Sequence, residues 1–150
     1  MTFSQKILSC LHTLNEAKIQ QFAGILLIKG NYILLLKRSP TCDYPHTWSI
    51  PAGRVENGES SWEAAKRETR EEAGISVNTD YVAEYEDREE AEKAFTTYVV
   101  PVKEQIKPIL NWENTNWKWV PLSIIPSWNE QGISQIHPGL IRTLIHLGLI

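Results

Sequence analysis

Two apolar runs joined by a two-residue turn constrain the fold of this 150-residue chain more than any other feature. The runs are Phe22 to Lys29 and Tyr32 to Lys37, both rich in Ile and Leu, and Gly30-Asn31 separates them. This arrangement predicts a β-hairpin. Because the apolar residues are continuous rather than alternating, both faces of the strands must be covered, which requires helices on either side of the sheet. The sequence therefore predicts a layered α/β or α+β fold.

Both ends of the chain have helical periodicity. Apolar residues recur at helical spacing from Phe3 to Gln20, which predicts an N-terminal helix within residues 1–20. We interpret the apolar face of this helix as packing against the fold, and its alternative role is a dimer or partner surface. A C-terminal helix is predicted from about Gly139 to Ile150, within residues 139–150.

Shorter segments predict the rest of the sheet. Trp48-Ser49-Ile50 is typical of a short strand, and further strand candidates lie at Ser76 to Tyr85, Phe95 to Val102 and Trp117 to Val120. We interpret the acidic segment Glu84 to Lys93 as a solvated loop or hairpin tip. The sequence contains no repeat or linker, so we expect residues 1–150 to form a single domain.

The segment Gly53 to Ile75 carries the most chemical information. Ser60 and Glu63, three residues apart, form a capping box, which marks the start of a helix. Gly74 suits the left-handed residue that ends a helix. These signals predict a helix over about Ser61 to Ala73.

Three carboxylates crowd one arc of this helix, and they are Glu68, Glu71 and Glu72. The helix stripe expected to pack on the sheet consists of Trp62, Ala65, Thr69 and Ala73, and the basic residues Lys66, Arg67 and Arg70 are expected on the opposite flank. Like charges at this spacing destabilise a helix by about 0.2–0.5 kcal/mol per pair, and a bound cation would reverse that sign. Oxygen donors without histidine or thiolate select Mg²⁺ or Mn²⁺, which suits phosphate esters. A solvated acidic face is the alternative.

The same segment matches every fixed position of a known motif, G-x5-E-x7-R-E-U-x-E-E-x-G-U. The matching residues are Gly53, Glu59, Arg67, Glu68, Glu71, Glu72 and Gly74, followed by Ile75. The chain thus resembles the Nudix family, and only Thr69 departs from the bulky aliphatic residue that the motif prefers. The resemblance covers most of Gln21 to Leu122. It implies a Nudix fold, in which a mixed β-sheet is sandwiched between α-helices.

The resemblance also implies roles for individual residues. The implied metal ligands are Glu68, Glu71, Glu72, the backbone carbonyl of Ala52 and, in a later loop, Glu113. Arg67 and Glu59 are implied to support the catalytic carboxylates, because a guanidinium group can hold carboxylates in place through paired hydrogen bonds. The cofactor is implied to be Mg²⁺, with Mn²⁺ as a substitute. The resemblance leaves open which of Glu68, Glu72 and Glu113 is the general base.

These features favour an enzyme, a Mg²⁺-dependent pyrophosphohydrolase that cleaves the diphosphate linkage of a nucleoside diphosphate-X substrate such as a nucleoside triphosphate or a nucleotide sugar. One alternative is the same chemistry on a non-nucleotide diphosphate or a capped RNA end. Another is a catalytically silent module that senses a nucleotide or binds a protein partner. Because every carboxylate of the motif is kept, we favour the enzyme.

Composition limits the partners and the compartment. With 15 basic and 18 acidic residues the formal charge is −3, so no basic nucleic-acid footprint is present and no nucleic-acid partner is expected. Apolar runs such as Ile33 to Leu36 are far shorter than the roughly 20 residues of a membrane-spanning helix. Cys10 and Cys42 cannot form a disulfide framework, and Cys42 with His46 lacks the other ligands of a structural zinc site. We expect a cytoplasmic monomer or homodimer that acts on a small nucleotide-type diphosphate.

Overall fold

The computed structural model describes residues 1–130 and 135–150, with side chains at all of these positions except 12–18. The helices are α1 Phe3–Lys18, α2 Ser61–Ala73, α3 Ile125–Glu130 and α4 Pro138–His146, and a 3-10 turn at Leu122–Ile124 precedes α3. The strands are β1 Gln20–Lys29, β2 Tyr32–Arg38, β3 Trp48–Ser49, β4 Ala52–Arg54, β5 Ala83–Asp87, β6 Lys93–Pro101 and β7 Asn114–Pro121.

The seven strands form one mixed sheet in the order β3-β2-β1-β6-β5, with β4 paired to β1 and β7 paired to β2. Strands β1 and β6 run parallel, and the other pairs are antiparallel. The predicted hairpin is confirmed, since Ile28 pairs with Ile33 across the turn. Gly30 in that turn has φ 58, a conformation that glycine adopts without steric penalty.

Both faces of the central strands are covered, as the continuous apolar runs predict. On one face Leu26, Ile33 and Leu35 pack with Ile125, Leu140 and Leu144 from the α3 and α4 side. On the other face Ile25, Leu27, Leu34 and Leu36 pack with Ala64, Ala65 and Ala73 of α2. Full burial of one such leucine or isoleucine side chain stabilises the fold by about 1.5–3 kcal/mol. The prediction of a mixed sheet between helices is confirmed.

Helix α2 begins and ends where its capping residues predict. The Ser60 hydroxyl accepts a hydrogen bond from the backbone N–H of Glu63 at 3.1 Å, and the Glu63 carboxylate accepts one from the N–H of Ser60 at 3.0 Å. Gly74 is left-handed, with φ 65. The expected packing stripe was too narrow, because Glu68 and Glu72 are buried alongside the apolar residues of the helix.

The expected strand over Ser76 to Tyr85 and the expected loop over Glu84 to Lys93 are wrong in part. Within the described residues no strand covers 76–82, and β5 extends through 84–87 into the acidic segment, so the hairpin tip is confined to 88–92. Turn-forming Asn78 and Asp80 disfavour a strand in the first stretch. Asp87 can be buried at the end of β5 because Arg142 of α4 donates to its carboxylate at 2.8 Å.

Helix α1 forms, but the interpretation of its apolar face as packed is wrong for the described side chains. Phe3 is 79% exposed and Leu8 is 66% exposed, and Leu14 lies outside the described side chains. Periodicity specifies a helix and a face but not what covers that face, so the alternative role as an interface stays a prediction.

Two boundaries also differ from the predicted ones, since β1 already begins at Gln20 and α4 ends at His146. Among the described residues no helix is both long and apolar enough to cross a bilayer.

Candidate active site

Three carboxylates meet at the C-terminal half of α2. Glu68 and Glu72 lie one helical turn apart on its buried face, and Glu113 immediately precedes β7. One carboxylate oxygen from each of the three lies within 4.8 Å of the others. The loop that carries Glu113 is fixed to the end of β2, because the N–H of Ser39 donates to the Glu113 carbonyl at 2.9 Å. The fold thus brings together residues 45 positions apart in sequence.

Glu72 is the most deeply held of the three, with 2% of the residue exposed. One of its carboxylate oxygens accepts the backbone N–H of Ala52 at 2.8 Å, and the other accepts the Asn114 amide at 3.0 Å. Strands β4 and β7 therefore both orient this carboxylate. Asn114 was missed in the sequence, since only its adjacency to Glu113 could have suggested it.

Burial makes the negative charge of this cluster costly without a cation. The pKa of Glu72 is raised to about 8, chiefly by desolvation and in part by the neighbouring Glu113 and Glu68, while the hydrogen bonds from Asn114 and Ala52 act in the opposite direction. Burial also raises the pKa of Glu68, against the effect of Arg67. A hard divalent cation such as Mg²⁺ or Mn²⁺ binds oxygen donors of this kind, and its charge would favour the ionised form of the three carboxylates.

Arg67 holds the acidic side chains around the cluster. Its guanidinium group donates to both carboxylate oxygens of Glu59, at 2.8 and 3.1 Å, to Glu68 at 2.9 Å and to Glu71 at 3.1 Å. A further bond, to the carbonyl of Arg54 at 3.0 Å, ties it to β4. The expectation that Arg67 lies on a flank away from the carboxylates is wrong, because its long side chain reaches back to them. The bonds to Glu59 are the main cause of the raised pKa of Arg67, and they lower the pKa of Glu59.

Gly53 leaves the space that the Glu68 carboxylate occupies. A Cβ atom at this position would lie 2.6 Å from one carboxylate oxygen of Glu68 and closer still to the other oxygen and the carboxyl carbon. Its φ is outside the left-handed region, so the constraint on residue 53 is steric. The first glycine of the motif thus lets β4 approach the helix.

Two other predicted metal ligands, Glu71 and the Ala52 carbonyl, are not among the three clustered carboxylates. The Glu71 side chain is 49% exposed and ion-paired with Arg67, and it is not part of the three-carboxylate cluster. Ala52 contacts Glu72 through its N–H, and the role of its carbonyl is untested. The metal-ligand roles of both residues stay predictions.

A cavity of about 260 Å³ opens beside the cluster. Ala52, Gly53 and Glu113 line it on the side of the carboxylates. Its other walls include residues that the sequence analysis did not select, namely Arg38, Tyr44, Asp87, Glu90, Lys93, His137 and Arg142. These residues come from β2, the following loop, the β5-β6 hairpin and α4, and no spacing in the sequence relates them. The arrangement can place a substrate beside a metal-binding cluster.

Comparisons with known proteins bear on the same region. The NUDIX domain family matches residues 18–143. The bis(5'-nucleosyl)-tetraphosphatase [asymmetrical] of Caenorhabditis elegans is 34% identical over 102 residues, which are 63% of this chain and 70% of that protein. An RNA pyrophosphohydrolase of Bradyrhizobium sp. (strain ORS 278) is 34% identical over 82 residues, 52% of this chain and 44% of that protein.

The fold of this chain is also similar to solved structures. A Nudix hydrolase from M. smegmatis superposes with a TM-score of 0.70 at 22% identity, over 85% of this chain and 82% of that one, which shows the fold. An Ap4A hydrolase from C. elegans superposes with a TM-score of 0.63 at 30% identity, over 86% of this chain and 99% of that one. Together with the match over residues 18–143, these similarities show that the chain belongs to the Nudix family.

Proposed function

We propose that this chain is a Mg²⁺-dependent pyrophosphohydrolase that cleaves the diphosphate linkage of a nucleoside diphosphate-X substrate, with Mn²⁺ as a substitute metal. The observation that carries the proposal is the cluster of Glu68, Glu72 and Glu113 beside a cavity in a chain of the Nudix family. The relatives named for hydrolysis of a dinucleoside tetraphosphate and for RNA pyrophosphohydrolysis support phosphoanhydride chemistry.

In this proposal Glu68, Glu72 and Glu113 hold the cation, with Glu71 and the Ala52 carbonyl as further candidate ligands. When bound, a divalent cation neutralises charge on the phosphoryl oxygens and lowers the pKa of a bound water. Hydrolysis of a phosphoanhydride needs both effects, because charge builds up on the leaving phosphate while water attacks phosphorus.

Groups of the chain itself orient the carboxylates and accept the proton. The N–H of Ala52 and the Asn114 amide fix the Glu72 carboxylate, and Arg67 fixes Glu68 and Glu59. A carboxylate of the cluster removes the proton from the attacking water. The proposal assigns this step to the cluster and not to one member of it.

The partner of the site in this proposal is a small nucleotide. The formal charge of −3 disfavours RNA because binding of a phosphate backbone depends on clustered cations. The intact carboxylates disfavour a silent module. We propose the cytosol as the compartment, in keeping with the unpaired thiols of Cys10 and Cys42.

The experiment is phosphate release, through a coupled phosphatase or pyrophosphatase, from nucleoside triphosphates, nucleotide sugars, ADP-ribose, a dinucleoside tetraphosphate and 5'-triphosphorylated RNA. Each is assayed with Mg²⁺ and with EDTA. Glu72→Gln should lower turnover at least ~100-fold, because charge stabilisation by a held metal is worth several kcal/mol. Exposed Glu84→Gln on β5 is the matched control and should turn over like wild type.

Glutamine at position 72 keeps the volume of the side chain and can still accept the Ala52 N–H, so the variant should fold, which circular dichroism checks. Turnover that persists in EDTA, or a folded Glu72→Gln variant with near-normal activity, contradicts the proposal.

A further inference from the structure

We propose that the 260 Å³ cavity binds the nucleoside half of the substrate and that Tyr44, held by Glu90, is the residue that selects a nucleotide over other diphosphates. The inference rests on the proposed function, which it extends to substrate specificity.

Tyr44 lies in the loop between β2 and β3, yet contacts from two distant segments fix its ring. Its hydroxyl donates to Glu90, at the tip of the β5-β6 hairpin, at 3.0 Å. Its ring centroid is 4.4 Å from that of His137, the residue before α4, at an interplanar angle of 53°. The residue is still 43% exposed, and it lines the cavity, where a ligand can reach it. An aromatic ring that is held in place and accessible to a ligand can stack on a base.

The backbone at Tyr44 is unusual. Its φ of 49 lies in the left-handed region, which is uncommon for a residue with a bulky side chain. Such conformations persist only where surrounding contacts enforce them, and they cluster at ligand-binding sites. The Tyr44 carbonyl accepts the Thr47 hydroxyl at 2.8 Å, and this bond, with the side-chain contacts to Glu90 and His137, holds the residue in place.

Two of the three cationic side chains named among the cavity walls are paired with carboxylates of the same walls, and the third, Arg38, donates to the backbone carbonyl of Asp43. Arg142 donates to Asp87 through two nitrogens, the shortest distance being 2.8 Å, and Lys93 lies 3.3 Å from Glu90. Burial lowers the pKa of His137 to about 4, so its ring is neutral at physiological pH. A polyphosphate chain in this cavity would have to displace the carboxylate partners of Lys93 and Arg142. A neutral heterocycle can bind beside these pairs without leaving a charge uncompensated.

The cavity also has apolar surface and a limited volume. Phe22 and Phe95 also line the cavity and supply apolar surface for a base. Its volume of about 260 Å³ lies just below the ~300–1,000 Å³ range of pockets for drug-sized ligands, a size that favours one nucleoside over two. A second nucleoside of a dinucleotide would have to lie outside the cavity.

The first test measures binding without metal. Adenosine, guanosine, cytidine and uridine monophosphates are titrated in EDTA into wild type, Tyr44→Ala, Tyr44→Phe and Tyr32→Ala, with Kd taken from NMR shifts. Tyr32 is a matched control because it is a tyrosine of similar exposure, 41%, outside the cavity. Tyr44→Ala should raise the Kd of the best ligand about tenfold or more, in line with the value of base stacking. Tyr44→Phe keeps the ring and should raise it only about two- to fivefold.

The second test is kinetic. With the nucleotide that wild type hydrolyses best, Tyr44→Ala should raise KM about tenfold while kcat changes by less than about threefold. With inorganic tripolyphosphate, which has no base, the variant should match wild type.

The outcomes separate this inference from the proposed function. Equal Kd and KM values for wild type and a folded Tyr44→Ala variant overturn the nucleoside site while the hydrolase stands. Tyr44-dependent nucleotide binding without turnover of any substrate by wild type refutes the hydrolase and leaves the nucleoside site in place. An equal weakening in Tyr32→Ala overturns the assignment of the effect to Tyr44.

Discussion

Adding a single methyl group at Gly53 should disable the site while leaving the fold in place. A Cβ atom there would lie 2.6 Å from the farther carboxylate oxygen of Glu68, whereas ordinary contacts begin near 3.4 Å. The carboxylate must therefore move by at least 0.8 Å, the difference between these distances. Because Arg67 already holds Glu68 at 2.9 Å, the shift would also disturb that bond.

The size of the effect follows from this displacement. A misplacement of about 1 Å in a catalytic arrangement can lower the rate about 100-fold, and we expect a loss of that order in kcat/KM for Gly53→Ala. Overpacking at a tight position costs about 1–3 kcal/mol, so the variant should lose some stability but remain folded.

The assay is Mg²⁺-dependent phosphate release, combined with urea unfolding. Gly58→Ala serves as a contrast within the same motif, because Gly58 has φ 85 and open space around it. That variant should lose stability while its kcat at 20 °C stays within about twofold of wild type. In a Glu68→Ala background, where the clash is absent, Gly53→Ala should lower activity by less than about twofold further. Full activity in Gly53→Ala, or an undiminished effect in the Glu68→Ala background, would show that a clash with the Glu68 carboxylate is not what constrains residue 53.

Three further predictions concern the supports of the site. Arg67→Lys keeps the charge but loses the paired bonds to Glu59, so kcat/KM should fall about tenfold with Mg²⁺ affinity reduced in calorimetry. Ser60→Ala removes the helix cap and should lower the free energy of unfolding by about 1 kcal/mol, or Tm by about 2–4 °C, with kcat unchanged at 20 °C. Burial lowers the pKa of His137 from 6.5 to about 4, so the folded state binds its proton less readily than the unfolded state does. The associated stability is therefore complete above pH 6.5 and is lost as pH falls towards 4, by up to about 2 kcal/mol between pH 7 and 5. His137→Asn, which can still cap α4, should remove this contribution, so the change in free energy of unfolding between pH 7 and 5 should differ from that of wild type by about this amount in urea titrations. The same pH dependence in variant and wild type would contradict the assignment. The charged side chains that act on His137 are Arg38, Arg142, Glu90 and Asp87.

Local signals in the sequence predict the local structure well. Ser60, Glu63 and Gly74 specify both ends of α2, because capping depends on residues within one turn. The turn at Gly30 likewise fixes the β1-β2 hairpin. The spacing of Glu68 and Glu72 places both on one face of the helix.

Features that depend on tertiary contacts could not be predicted in the same way. No local pattern shows that Asn114 bonds to Glu72, or that Arg142 allows Asp87 to be buried at the end of β5, since these partners are 42 and 55 residues apart. The apolar stripe of α1 shows that a local pattern can predict a helix without predicting its tertiary contacts. Its periodicity predicted the helix correctly, but a stripe such as Phe3 and Leu8 does not reveal whether the same chain covers it.

In the proposed function Glu68, Glu72 and Glu113 together bind the divalent cation of a phosphoanhydride hydrolase. The most direct measurement is X-ray diffraction from crystals grown with Mn²⁺, with anomalous differences recorded at the manganese edge. We predict an anomalous peak within about 2.0–2.4 Å of a carboxylate oxygen of all three residues, and its loss in Glu72→Gln crystals. Crystals saturated with Mn²⁺ that show no peak among these carboxylates, or a peak only at exposed acidic residues, would contradict the account.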